Sequence, residues 1–414
     1  MSLPNGPAAP TPPPLGAQPA LRVAYLMSWF PKLTETFVLD EILEMQRQGV
    51  TVEIHPLRRG RESVVHDQAR ELATEAHYRP LVDSRILKDN LVQLLRRPSR
   101  YLSCLRTIFV NNCGSRRHLS RALAAFPRAV SLAHELPGRG IQHVHAHFAS
   151  HPAAVAYVVG RMSGIPYSFT AHGSDLHRDQ SMLREKLKSA RFAVTISEYN
   201  REFMREHVDD VDLDRVHVVR CGVEAGRFER ATPKAAPFVF GCIGTLHEVK
   251  GQHVLLEACA QLARTGLDFA CHLIGDGPDR TALERRSAAL GLADVVVFHG
   301  AVARERVAEL LTSFHVSVAP SVASADGRRE GIPVALMEAA ACGIALVASR
   351  LSGIPELVQE GRSGLLVPPG DASALAEALE RLALDPPLRA RLAAGAHDHV
   401  VSEFALDSNV RRLR

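Results

Sequence analysis

Short apolar runs alternate with longer amphipathic stretches along most of this chain, the pattern of strands buried in parallel sheets and the helices that cover them. In the first half the runs fall at residues 21–27, 50–56, 144–148, 165–171, 192–197 and 216–223. In the second half they fall at 238–243, 269–274, 295–298, 316–319, 345–348 and 364–367. Helical periodicity fills the gaps at 37–48, 251–265, 279–290, 304–313 and 372–384. Strand, helix and strand at this spacing make βαβ units, and the pattern restarts near residue 238. The fold expected is therefore α/β, with two doubly wound, Rossmann-like domains facing each other across a cleft. The boundaries expected are a Pro/Ala-rich tail at 1–20, a first domain at 21–225, a second at 226–395, and a helical segment at 396–414 that crosses back to the first. The two prolines at 231–237 read as an interdomain linker.

Residues 83–139 break this alternation. They read as helical and basic, carrying Arg85, Lys88, Arg96, Arg97, Arg100, Arg106, Arg116, Arg117, Arg121 and Arg128, with Asp89 the one acid between Arg85 and Arg128. Leu91, Leu95, Leu102 and Phe109 stand among these charges. Two readings remain open: a solvated helical face over a core, or a surface that rests on anionic lipid through residues 85–128.

A length of 414 residues exceeds one ordinary core and favours two domains. The net charge of +4 implies no nucleic-acid partner, and no apolar run is long enough to span a bilayer. Seven cysteines lie scattered without paired spacing. They point to reduced thiols and a cytoplasmic setting, with peripheral placement at the inner face of the plasma membrane if the lipid reading holds.

The most informative stretch is residues 316–343. An apolar strand end leads through a polar loop to Glu330, Gly331, Ile332 and Pro333, then to a helix closed by Gly343. Proline suits the first turn of a helix and glycine its C′ position. Glu330, Gly331 and Ile332 thus sit at a helix N-terminus beyond the carboxyl end of a strand, where α/β sheets bind ligands and free N–H groups accept phosphate. Glu330 and Glu338 are acceptor-only carboxylates, suited to the hydroxyls of sugars and riboses. His143, His145 and His147 alternate on one strand and share a face. With His151 and His172 they could hold a transition metal, or they could shape a cleft. Asp210-Val211-Asp212 lies in a polar connection and reads as solvated charge.

These motifs resemble the retaining glycosyltransferases of family 4, which have the GT-B fold. The Glu330-x7-Glu338 pattern around Gly331-Ile332-Pro333 carries the resemblance, with Gly275-Asp276-Gly277-Pro278, Gly353-Ile354-Pro355-Glu356 and Gly364-Leu365-Leu366-Val367-Pro368-Pro369. Phe30-Pro31-Lys32-Leu33-Thr34-Glu35-Thr36 and Thr170-Ala171-His172-Gly173-Ser174-Asp175 are similar to a subgroup associated with exopolysaccharide and colanic-acid-like polymers. The resemblance implies transfer of a hexose-type sugar from a nucleoside diphosphate to a glycan or lipid-linked acceptor. It implies no cofactor and no metal, which favours the cleft-shaping reading of the histidines. His172, Lys250 and Glu330 would be catalytic. Glu330 would hold donor-sugar hydroxyls, Glu338 the ribose, Lys250 the diphosphate, and the Gly331 and Ile332 amides the distal phosphate. Gly244, Thr245, Gly275 and Pro333 would complete the donor site, and a loop bearing Ser28, Phe30, Thr34, Glu35 and Thr36 would close over the acceptor. One position departs from the pattern: Thr245 stands where family members often carry an arginine. Losing such a donor costs roughly 3 kcal/mol of transition-state stabilisation. His247 and Arg220 are the candidate substitutes. Two rival readings share the fold: a nucleotide-sugar epimerase, which needs acid/base groups on both faces of the sugar, and a non-catalytic sugar-nucleotide-binding partner, motivated by Thr245.

Overall fold

A computed structural model describes residues 21–60, 66–80, 83–232 and 236–414. The tail at 1–20 and linker residues 233–235 lie outside the described residues. The first sheet comprises β1 (Arg22–Phe30), β2 (Thr51–Arg59), β3 (His143–His147), β4 (Tyr167–Ala171), β5 (Phe192–Thr195) and β6 (Val216–Val218). The second comprises β7 (Phe238–Ile243), β8 (Phe269–Ile274), β9 (Val296–Gly300), β10 (Val316–Ala319), β11 (Ala345–Ser349) and β12 (Leu365–Val367). Their orders are β2-β1-β3-β4-β5-β6 and β12-β11-β10-β7-β8-β9. Every pairing between these strands is parallel.

Interior strands such as β4 and β11 are buried at every position, because helices cover both faces. The order of the first sheet reverses between β1 and β3, and that of the second between β10 and β7. In an open parallel sheet the crevice beyond the carboxyl ends of such a pair is where ligands bind. The loops after β4 and β10 meet across the two domains, where a Cβ on Gly331 would lie 2.6 Å from the His172 carbonyl oxygen.

Several boundaries differ from the sequence reading. The polar turn expected from Ser28 begins later, because β1 continues to Phe30. Trp29 stays in register with Arg58 and Phe30 with Arg59, and the Phe30 ring enters the core. The stretch read as a linker is already docked on the second domain where it begins. The Ala231 amide bonds the Cys342 carbonyl (2.8 Å) and the Thr232 amide bonds the Thr312 carbonyl (2.9 Å).

The basic segment forms three helices, Ser84–Arg96, Pro98–Asn112 and Arg116–Glu135. Ile86, Cys104, Ile108 and Phe126 point inward. Leu87, Leu91 and Leu95, spaced four apart, form an outward stripe with Leu102, Phe109 and Val110. Arg128 does not share this outer face. It is buried, and its guanidinium donates to the carbonyls of Pro80 and Leu57 (2.9 Å each).

The helix Pro386–Glu403 is continuous, so the chain leaves the second domain at Phe404 and not near residue 396. There the returning strand bonds the outgoing one: Val223 N donates to Phe404 O (2.9 Å) and Leu406 N to Val223 O (3.2 Å). The final helix, Leu406–Leu413, seats Leu406 and Val410 in the first domain's core beside Val38 and Ile42. Truncating a buried leucine removes transfer energy and leaves a cavity, so Leu406→Ala is expected to cost about 2–5 kcal/mol. Trp29, the single tryptophan, lies in β1 and reports on this domain. Denaturant melts followed by its fluorescence check the value; a loss under about 0.5 kcal/mol, as at an ordinary surface site, would show that the returning helix merely covers the surface.

Candidate active site

The wall from the second domain is built where its strand order reverses. The loop after β7 carries Gly244, Thr245 and a short turn, Glu248–Lys250. Gly251 follows with φ +67°, and a Cβ there would lie 1.8 Å from the Pro320 carbonyl oxygen. The loop is thus pressed onto the end of β10, which only glycine permits. Beside it, the loop after β8 is tied on by Gly244 N to Ile274 O (2.9 Å) and Leu246 N to Asp276 O (3.0 Å). From the loop after β10, Glu330 reaches back, and its Oε2 lies 2.6 Å from Lys250 Nζ. Both side chains are half-buried. Pro333 caps the helix Val334–Ala341 and is not yet inside it: its ψ is 120°, and Leu336 N donates to its carbonyl (3.1 Å).

The opposite wall is a cluster of histidines. His172 lies just after β4, and its backbone is held by the motif that follows: Asp175 accepts from His172 N (3.0 Å) and from Ala149 N (2.5 Å). The ring lies between Phe37 and Phe148, with centroids at 4.6 and 4.8 Å. Its Nε2 is 3.1 Å from His147 Nδ1, and its Nδ1 faces the Cys221 sulfur at 3.9 Å. Behind it, Glu41 Oε1 lies 3.3 Å from His147 Nε2 and accepts from the Tyr25 hydroxyl (2.9 Å).

The walls touch at backbone. A Cβ on Gly331 would lie 2.6 Å from His172 O. A second seam is made by Gly353-Ile354-Pro355-Glu356. Glu356 accepts from the first amides of the helix Glu198–His207, Glu198 N (3.1 Å) and Tyr199 N (3.0 Å), where a carboxylate also favours the helix dipole. Arg220 pairs with this same Glu356 (3.0 Å), so it is committed to the seam and not to the Thr245 position. The guanidinium brought to the Thr245 loop is that of Arg328, whose Nη1 lies 3.4 Å from His247 Nε2. Thr245 itself contributes its carbonyl, which accepts from Gln252 Nε2 (3.1 Å).

Glu338 is buried and faces a partner that the sequence did not announce. Arg304 lies 3.3 Å from Glu338 and 2.8 Å from Asp40 of the first domain. Burial pushes the Glu338 carboxyl up to about 7, against the pull of Arg304. Burial likewise lowers His143 to about 4 and His145 to about 3, and it drives His172 well below the ordinary range, with His147 adding to the effect. Burial raises Glu41, but His147, His145 and the Tyr25 hydroxyl outweigh it and hold the carboxyl below its usual value.

Of the predicted site residues, Lys250, Glu330, Gly331, Gly244 and Thr245 are brought together on one wall, and His172 meets them through Gly331. The predicted closing loop is only partly a loop. Ser28 and Phe30 belong to β1, and Thr36 opens the helix Thr36–Arg47. Thr34 is exposed in the turn, while Glu35 is paired with Lys32 (2.5 Å). The alternating histidines do share a face. Glu41, His145 and His147 offer atoms within 4.8 Å of one another, as metal ligands would. Both His145 nitrogens already have hydroxyl partners, Ser168 at 2.8 Å and Thr170 at 3.0 Å, and His143 shares Ser168 (2.7 Å). Asp210 pairs with Arg184 (3.1 Å) and Lys188 at the surface, as solvated charge does. Arg304, Asp40 and Glu41 were missed. Their one sequence signal is a pair of acids, Asp40-Glu41, set between Phe37-Val38-Leu39 and Ile42-Leu43.

The same architecture recurs in solved structures. A glycosyltransferase from Rickettsia africae superimposes with a TM-score of 0.69 at 16% identity, covering 95% of this chain and 97% of that one. HepE of Anabaena, solved in complex with UDP, gives 0.71 at 17%, covering 95% and 98%. This is the GT-B fold of glycosyltransferases. A family model described as glycosyl transferases group 1 matches residues 227–399, and one described as Glycosyltransferase Family 4 matches 34–227. The putative colanic acid biosynthesis glycosyltransferase WcaL of Escherichia coli is 33% identical over 382 residues, covering 87% of this chain and 90% of its own. The amylovoran biosynthesis glycosyltransferase AmsK of Erwinia amylovora is 39% identical over 171 residues, covering 41% and 42%. The chain belongs to the family 4 glycosyltransferases.

The raised carboxyl of Glu338 has a consequence for stability. Between its ordinary value of 4.5 and about 7 the folded chain holds a proton that the unfolded chain has released. Its contribution is therefore most favourable below the ordinary value and declines as pH rises to about 7. Glu338→Gln is expected to flatten this part of the profile, read as denaturant midpoints of wild type and variant from pH 5 to 8. Parallel profiles would show that Glu338 is ionised throughout.

Proposed function

We propose that this protein transfers a hexose-type sugar from a nucleoside diphosphate to a glycan or lipid-linked acceptor, with retention of anomeric configuration, in the synthesis of a cell-surface polysaccharide. The observation that carries the reading is the Lys250–Glu330 pair, set at a switch point beside Gly331, which packs on the His172 carbonyl. The names of the colanic acid and amylovoran relatives support the polysaccharide assignment.

Breaking the anomeric C–O bond leaves negative charge on the diphosphate while the sugar becomes oxocarbenium-like. Lys250 and the N-terminus of the helix Val334–Ala341, with the Gly331 and Ile332 amides, meet the charge as it develops, where preorganised donors accelerate reaction most. Glu330 accepts hydrogen bonds from the sugar hydroxyls, and Glu338 from the ribose. The donor thus replaces the Lys250–Glu330 contact of the free protein, drawing the ammonium to the phosphates and the carboxylate to the sugar. No bound metal is needed in this scheme. The acceptor hydroxyl attacks from the face the diphosphate leaves, and the leaving phosphate takes its proton.

The test is release of nucleoside diphosphate from UDP-, GDP-, ADP- and TDP-sugars without added metal. Wild type is expected to hydrolyse one donor slowly, with a retained anomer in any transfer product. Glu330→Ala and Lys250→Ala are each expected to lower turnover by about 100-fold or more. Tight binding without release, for every donor and with lipid acceptor present, would instead support the non-catalytic reading.

The outward stripe of Leu87, Leu91, Leu95, Leu102 and Phe109 lies on the helices that also expose Arg85, Lys88, Arg96, Arg97, Arg100 and Arg106. Apolar and basic groups together fit a surface resting on anionic lipid, where a lipid-linked acceptor would be found. No helix among the described residues is long and apolar enough to cross a membrane. In flotation at low salt, wild type is expected to bind vesicles of phosphatidylglycerol and phosphatidylcholine but not phosphatidylcholine alone. The double variant Leu91→Asp, Leu95→Asp is expected to lose binding. Indifference of wild type to anionic vesicles would leave the stripe as a solvated face.

A further inference from the structure

His172 is the histidine nearest the meeting point of the two walls, yet one of its ring nitrogens is turned away from the cleft, into the first domain. Nε2 points to His147 Nδ1 (3.1 Å), and the two rings stack at 5.4 Å with 23° between planes. His147 is fully buried, and its Nε2 has no hydrogen-bond partner of good geometry, only the Glu41 carboxylate at 3.3 Å. Glu41 stands on the helix Thr36–Arg47 and receives the Tyr25 hydroxyl from β1. Four side chains, from the helix, two strands and the turn after β4, thus form one line: Tyr25, Glu41, His147, His172.

The direction of hydrogen bonding along this line is set by its first members. An ionised carboxylate only accepts, whereas a neutral imidazole must donate at one nitrogen and accept at the other. Tyr25 donates to Glu41, and its buried hydroxyl holds its proton more firmly than usual. With the Glu41 carboxylate 3.3 Å away, His147 Nε2 is the nitrogen favoured to carry the hydrogen, which leaves its Nδ1 as an acceptor. His172 must then donate Nε2–H to that nitrogen, and its Nδ1 is left with a bare lone pair. It faces the Cys221 thiol, with Sγ at 3.9 Å, a long and weak contact that a sugar hydroxyl could replace.

We propose that Glu41 and His147 are positioning residues that act through His172, fixing it as the Nε2–H tautomer so that Nδ1 accepts a hydrogen bond from a hydroxyl of the bound sugar. This rests on the transferase reading only for its effect on rate; the tautomer itself can be read without turnover. Neither residue touches the donor. Reversing the line at its source reverses its end. In Glu41→Gln the amide can donate to His147 Nε2, which then carries its hydrogen on Nδ1 and forces His172 to accept at Nε2 and to present Nδ1–H.

The experiment is nitrogen NMR of the full chain with 15N-labelled histidine, His172 being assigned by comparison with His172→Asn. Wild type is expected to show His172 protonated at Nε2 and bare at Nδ1, and Glu41→Gln the opposite. With the donor that wild type turns over, Glu41→Gln is expected to lower kcat by about 100-fold with donor KM within about threefold, and Glu41→Asp to recover about tenfold of the loss. An unchanged tautomer in Glu41→Gln, or kcat within about threefold of wild type, overturns the proposal while leaving the transferase reading intact. Should wild type turn over no donor, the tautomer measurement alone decides. Should Glu41→Gln fail to fold by circular dichroism, His147→Phe takes its place. It removes the acceptor while keeping an aromatic ring, so a mixed His172 tautomer supports the proposal and a pure wild-type signal overturns it.

Discussion

The closeness of Gly331 to the His172 carbonyl is the constraint on which the rest of the site depends. With 2.6 Å between that oxygen and any added Cβ, the other domain leaves no room for a side chain at this position. The Ile196 side chain closes on the same spot, 2.9 Å from any added Cβ, so the segment that leads into a helix of one domain packs directly on the peptide of a histidine from the other. The surrounding contacts serve this approach. Glu356 docks the second domain onto a helix start of the first, and Asp175 pins the peptide that Gly331 leans against. The residue type at 331 is thus decided by the other domain, through a contact that a local reading of the chain does not contain.

Much of the fold was legible because parallel sheets write themselves into sequence as short, fully apolar runs. β7, β8 and β10 fall where the runs fall. β1 and β2 extend beyond theirs, because strand pairing there continues through residues that are not apolar. Ser28, Arg58 and Arg59 are polar, and what keeps them extended is the neighbouring strand, which is invisible to a one-dimensional pattern. The start of the stretch 231–237 shows a similar limit. Prolines at 233 and 237 suggested a spacer, but Ala231 and Thr232 are bonded to segments roughly a hundred residues away in sequence.

The candidate site was legible where function resides in a short motif and illegible where it resides in a pair. Glu330 and Lys250 each stood out by neighbours in sequence, and their contact follows from the reversal of strand order at β7 and β10. Glu338 stood out too, but its partner Arg304 did not, since an arginine opening an ordinary helix carries no mark. Nor could the sequence show that Asp40 and Glu41, adjacent on one helix, serve different ends of the molecule. One meets Arg304 beneath Glu338, and the other meets His147 behind His172. The substitutes imagined for the missing arginine show the same limit. Arg220 is committed to Glu356, and it is Arg328 that lies beside His247.

The chain passes between the domains twice, and the passages are bonded to each other at Val223 and Ala405. A single tether would leave one domain free to swivel about it. Two tethers far apart would lock the pair. Two tethers fused side by side make a strap at one edge, and a strap has one soft coordinate: rotation about its own line, which opens the cleft on the far side like a book. Hinges of this kind absorb the motion in a few residues. The Glu356 seam lies next to that line, for Arg220 both pairs with Glu356 and stacks over Phe404, so a change there acts on the hinge itself.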